Sequence, residues 1–209
     1  MMALMVGLIW LVEVNLRNWQ SSEKLFEHAA RVCPSATAHV NLGNALREQG
    51  RAPAAKREYE AALVLDPQHD SAMFNLGLLA LERGASLEAV SYLQGVIAAN
   101  GTAYQPYMGL AWILATDPDP AHRNSTQALD YACIAAKLHR DLDADPEMLD
   151  VLGVANAECG RFEAAIGLAT RALRIAQYLG DGKKAHEIQV HLAAFRDSKP
   201  YHCEVLPPP

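Results

Sequence analysis

The stretch NLGNALREQGR at 41–51 returns as NLGLLALERGA at 75–85, so the chain repeats itself after 34 residues. A further step of 34 reaches GLAWILATDPD at 109–119, with Leu42, Leu76 and Leu110 in register. The next copy, VLGVANAECGR at 151–161, comes 42 residues later. The eight extra residues fall in two places, Asp117 to Asn124 (DPDPAHRN) and DLDADP at 141–146. A period of this size carries one helix-turn-helix unit. Such a unit cannot bury its apolar face alone and has to stack on its neighbours.

The residue types agree with stacked helix pairs. An alanine recurs at the start of each second helix, at Ala55, Ala89, Ala128 and Ala165. Seven residues further stand Ala62, Val96, Ala135 and Ala172. Small side chains at those points let antiparallel helices approach closely, as does glycine or alanine after the leucine. Gly50, Gly84 and Gly160 are placed to end first helices with a positive φ, and Pro67 closes a unit. Tyr59 and Phe26 supply large side chains to fill the gap between units. Near the end, Asp181 is a candidate N-cap for a helix whose apolar stripe is Ala185, Ile188, Leu192 and Phe195.

These residues resemble the tetratricopeptide repeat family, whose pattern is W-x2-L-G-x2-Y…A-x3-F…P. The first full unit matches as Leu42-Gly43, Ala55, Tyr59 and Pro67, and departs from the pattern at His39 and Leu46. The resemblance implies an all-α, right-handed solenoid of about four repeats: 36–69, 70–103, 104–142 with an extended loop, and 146–179. A partial repeat occupies 17–35, with Trp19, Ser22, Phe26, Ala29 and Pro34 in register. A capping helix covers 181–197, and the tail 198–209 is expected to be loose.

In this family the first helix of each pair lines a concave binding face. Carried onto this chain, the groove positions are Asn41, Asn44 and Arg47, then Phe74, Asn75 and Glu82, then Met108 and Trp112, and finally Asp150. Asn41 and Asn75 stand one repeat apart and look like the asparagine ladder of O-linked N-acetylglucosamine transferases. Gly109 and Val151 interrupt that ladder. An asparagine side chain bonds a peptide N–H and C=O together. On this reading Asn41, Asn44 and Asn75 hold backbone, Phe74, Met108 and Trp112 pack apolar side chains, and Arg47 meets an acidic group. The expected partner is a protein or peptide, and no cofactor is expected.

Other classes find little support. The formal charge is −6, and no run of lysine or arginine marks a nucleic-acid surface. HEIQVH at 186–191 falls short of H-E-x-x-H, because its histidines are five apart and point to different helix faces, which favours a surface helix. Asp117 and Asp119 sit in a proline-stiffened turn rather than a cation loop. No nucleophile elbow, P-loop or dinucleotide fingerprint appears, so the chain is not expected to be an enzyme by itself. The four cysteines form no C-x-x-C pair, and most are expected to be buried small hydrophobes.

Met1 to Val12 is unbroken apolar sequence, too short for the ~20 residues of a membrane span. Residues 1–16 read either as the helix of a degenerate repeat or as the end of a span whose earlier part is absent. The stretch 17–44 resembles the junction between membrane and repeat parts in transmembrane glycosyltransferase-like proteins, the O-mannosyltransferase family among them. That resemblance implies membrane attachment through the N-terminus, with the repeats on the periplasmic or lumenal side. Without it a cytoplasmic scaffold is expected, and the apolar N-terminus offers a route to self-association. Asn100-Gly-Thr102 and Asn124-Ser-Thr126 are glycosylation sequons that matter only in a eukaryotic secretory setting.

Overall fold

The computed structural model describes residues 22–203, which form ten α-helices and no strand. The apolar N-terminus, Trp19 and the last six residues lie outside the described residues, as do the readings made for them. No described helix is long and apolar enough to cross a membrane. The chain divides into two compact units between Leu76 and Gly77.

The first unit holds α1 (Ser22–Val32), α2 (Ala36–Glu48), α3 (Ala52–Leu65) and the opening turns of α4 (Asp70–Glu82). Ser35 starts α2 by accepting a bond from the Ala38 N–H at 3.2 Å. That satisfies one of the orphan donors of the first turn. The helix stops at Gly50, whose φ of 73° is open to glycine at no steric cost. The Arg51 N–H then reaches back to the Leu46 carbonyl at 2.9 Å, and the Gly50 N–H reaches that of Arg47 at 2.8 Å, a Schellman closure. Pro53 sits in the first turn of α3, where a missing N–H costs nothing. Helices α2 and α3 pack through the small residues that the repeat predicts: Ala55 and Ala62 are fully buried. Tyr59, also fully buried, lies across Gly43, so any Cβ there would run into its ring.

The second unit begins within α4 and continues as α5 (Ser86–Ala99), α6 (Gln105–Thr116), α7 (Ser125–Leu138), α8 (Pro146–Glu158), α9 (Phe162–Tyr178) and α10 (Gly182–Arg196). The longer connections contain short 3-10 turns at Pro120–His122 and Leu142–Ala144. Asp119 caps the first of these, and Asp117 accepts the Asp119 N–H at 2.8 Å, so DPDP is the stiff turn its prolines suggest. Asn124, Asp145 and Asp181 cap α7, α8 and α10 with their side chains. Alanine rows on α7 (Ala128, Ala132, Ala135) and α9 (Ala165, Ala169, Ala172, Ala176) have no exposed surface. These methyl-sized contacts let α8 sit between its neighbours, with every residue from Met148 to Ala157 buried.

Two expectations need correction. The start of the tail is held rather than loose. The Cys203 N–H donates to the Thr116 carbonyl at 3.0 Å, Cys203 is buried, and His202 Nε2 meets Glu158 Oε2 at 2.8 Å. The end of α6 left a carbonyl to satisfy, and the tail returns to satisfy it. The cysteines are also less buried than expected: Cys33 and Cys133 are exposed, Cys159 is half-buried, and all four are free. Cys133 follows buried Ala132 on α7 and so faces outward.

Candidate partner-binding site

In the first unit the predicted asparagines engage one another. Asn44 Oδ1 accepts the Tyr59 hydroxyl at 2.9 Å and the Asn75 Nδ2 amide at 3.0 Å. Its carbonyl is thereby used inside the fold, and only its amide N–H groups remain to read a partner. Asn41 is half-buried and makes no side-chain hydrogen bond among the described residues. His39, standing where the family pattern has tryptophan, bonds Glu58 through Nδ1 at 2.8 Å and so links α2 to α3 with a polar contact. Arg47 and Phe74 are half-buried, and Glu82, across the division in the second unit, is exposed.

In the second unit the remaining predicted residues come together. Met108 and Trp112 from α6 and Asp150 from α8 line one cavity of about 210 Å³. Gly109 on α6 and Val151 on α8 complete those two walls. Helix α10 adds Lys184, Glu187 and His191, α8 adds Glu147, and the tail adds Tyr201. The cavity therefore opens among three first helices of successive pairs, and the returning tail forms one side. Gly109 lies at the cavity because Leu93 of α5 packs behind it: a Cβ there would stand 3.0 Å from a Leu93 methyl.

The lining is charged at one end and aromatic at the other. Asp150 is buried, and both its oxygens accept from His191 Nδ1, at 2.9 and 3.0 Å. A carboxylate has no proton to give, so the imidazole carries the N–H on Nδ1. Lys184 Nζ lies 3.1 Å from Glu187 Oε2. Burial works against the Lys184 ammonium, yet Glu147, Glu187 and Asp150 more than offset it and raise its pKa. The aromatic end holds Trp112, Tyr201 and His191, with Tyr201 stacked obliquely on His191 at 4.2 Å between ring centres. Burial pushes the Tyr201 phenol up to about 12, with nearby Cys203, Glu187 and Asp150 adding to it. Among the described residues, no cluster of side chains is fit to hold a metal.

His191 is where the surface-helix reading of HEIQVH fails. His186 is exposed, but His191 is 4% exposed and paired. The signal was present in the period: Ile188, His191, Leu192 and Phe195 share the inward face of α10. Lys184, Glu187 and Tyr201 carry no such signal, because the cavity walls they complete, on α6 and α8, lie far upstream in sequence.

Antiparallel helix pairs in series, with first helices gathered around a lined cavity, define a helical-repeat protein of the kind that binds other proteins. A model of the tetratricopeptide repeat family matches residues 11–55 and 40–106. The chain is a tetratricopeptide-repeat protein with the α-solenoid fold of that class. Over 62 residues, 29% of the chain, it is 44% identical to "Protein O-mannosyl-transferase TMTC1" of Homo sapiens and, equally, of Mus musculus. The matched stretch spans only 7% of those relatives' length. Among solved structures it is similar to YrrB, described as a TPR protein with an unusual peptide-binding site. The TM-score is 0.61 at 18% identity, covering 82% of this chain and 92% of YrrB. PilF of Pseudomonas aeruginosa gives a TM-score of 0.61 at 17% identity, covering 92% of this chain and 90% of PilF. At such identities the likeness is one of fold.

Proposed function

We propose that the chain is an interaction scaffold that holds an extended peptide or partner segment against the first helices of its repeats. The observation that carries this is the cavity among α6, α8 and α10, where Met108, Trp112 and Asp150 converge. An indole and a thioether beside hydrogen-bonding and charged groups make a pocket that anchors one side chain and orients the chain around it. In the first unit Asn41 offers an unengaged amide to a peptide backbone, and Asn75 offers what its bond to Asn44 leaves over. Arg47, Phe74 and Glu82 are the accompanying contacts. The repeats are taken as 36–69, 70–103, 104–142 and 146–179. YrrB, of the same fold, is described as having a peptide-binding site, which favours this reading.

The test uses the intact chain as bait and a synthetic peptide from the partner it recovers. Asn41→Ala and Trp112→Ala, each alone, should weaken that peptide by about tenfold while helical circular dichroism stays unchanged. Asn41 is the cleaner of the two asparagines, since Asn75→Ala also unties Asn44. Unaltered affinity in both variants rejects the reading.

A second reading is favoured by the 44% identity to TMTC1: the repeats are an accessory, non-catalytic part of a membrane O-mannosyltransferase-like protein. A run of membrane-spanning segments encoded upstream of Met1 supports it, and a stop codon there removes it.

A further inference from the structure

We propose that the cavity among α6, α8 and α10 receives the side chain of an arginine or lysine presented by the partner. The inference rests on the peptide-binding reading and supplies the partner's chemistry. Three carboxylates face this space, Glu147, Asp150 and Glu187. Two are already matched, Asp150 by His191 at 2.9 Å and Glu187 by Lys184 at 3.1 Å. Glu147 is not: among the described residues its carboxylate accepts no hydrogen bond and joins no ion pair within contact distance. Even with His191 charged, carboxylates outnumber cations in the lining by three to two. Lys183 also reaches Glu187 Oε1, at 3.9 Å and from outside the cavity, so Glu147 is the carboxylate left without a cation in contact among the described residues.

The walls suit a positive charge. Trp112 and Tyr201 face the cavity with ring centres 6.3 Å apart and planes inclined at 43°, and Met108 lies beside them. Aromatic faces attract a guanidinium or ammonium, and the thioether and rings cover the aliphatic stem. A volume of about 210 Å³ admits such a side chain but not a folded element. Other occupants fit worse. An acidic side chain would meet three carboxylates, and the one ammonium present is already shared among them. A purely apolar side chain would strip water from Glu147 and give nothing back. The raised pKa of the Lys184 ammonium reports the same negative field from inside the cavity.

The experiment titrates the full 209-residue chain with blocked tripeptides and follows the Trp112 indole N–H by NMR. The probes are acetyl-Ala-Arg-Ala-amide, the same peptide with neutral citrulline, the same with glutamate, and free agmatine. The arginine peptide should saturate the indole shift, with citrulline and glutamate at least roughly tenfold weaker. Glu147→Gln should remove roughly that tenfold advantage and leave citrulline binding unaltered. Lys184→Met should act in the opposite sense and tighten the arginine peptide, because it deletes the resident competitor. Equal binding of arginine and citrulline overturns the charge assignment and leaves the scaffold reading standing. Agmatine binding as tightly as the peptide overturns a partner side chain in favour of a free small cation. No saturable shift with any probe, or a Lys184→Met variant that binds arginine more weakly, overturns the proposal outright. The scaffold reading is decided separately, by the Asn41→Ala and Trp112→Ala variants taken together, tested on the recovered partner peptide.

Discussion

At the scale of single residues, the Leu-Gly pair explains why the repeat needs its glycine. Tyr59 fills the α2–α3 crossing by lying flat over Gly43, and its hydroxyl is fixed by Asn44. An alanine at 43 would gain helix propensity, about 1 kcal/mol, but would collide with a ring that is fully buried and has nowhere to swing. Overpacking of this kind costs about 1–3 kcal/mol, so Gly43→Ala should lower stability on balance. Denaturant titration checks it, and adding Tyr59→Leu should recover part of the loss because the obstructing ring is gone. The same residues show what sequence could and could not supply. Leucine, glycine and the phased alanines are packing residues, and packing imposes a period that can be counted. The bond from Asn75 to Asn44 joins two units of the repeat at positions 31 residues apart, off the 34-residue period, so counting the period does not pair them.

Among the elements, the helices were the most legible and the tail the least. Glycine stops, proline at first turns and Ser35, Asn124 or Asp181 as caps all act within a few residues, so their chemistry is written locally. The segment 199–203 has no period, and its place is fixed by a carbonyl at Thr116 and a carboxylate at Glu158 far upstream. Its docking has a signature in pH. A phenol held up to about 12 against an ordinary 10.0 favours the neutral form, so docking is complete below pH 10 and weakens as pH rises toward 12. Stability should therefore fall across that window, and Tyr201→Phe should fall less steeply. Denaturant midpoints at several alkaline pH values check this, and identical slopes in the two proteins would refute it.

For the whole molecule, stability in a repeat protein is built from each unit and its contacts with immediate neighbours. Gly153 shows where that rule can be tested. A Cβ there would sit 3.4 Å from the Ala165 carbonyl, so the branched bulk of Gly153→Leu must push α8 from α9. Hydrogen exchange should then quicken in α7 to α10 and remain as it was in α2 and α3, which belong to the other compact unit. Uniform acceleration along the chain would contradict nearest-neighbour behaviour. The fold class was readable because it depends on a repeated local pattern. The cavity was readable only in part: Met108, Trp112 and Asp150 follow from repeat positions, whereas Lys184, Glu187, His191 and Tyr201 arrive from the cap and tail, where the pattern has ended.

Tyr201 thus gives the cavity a wall that belongs to no repeat. A chimera that transplanted only the repeats onto another scaffold would carry an unfinished socket, open on the side the phenol closes. Engineers wishing to move its selectivity intact would have to bring along the short KPYHC clasp as well.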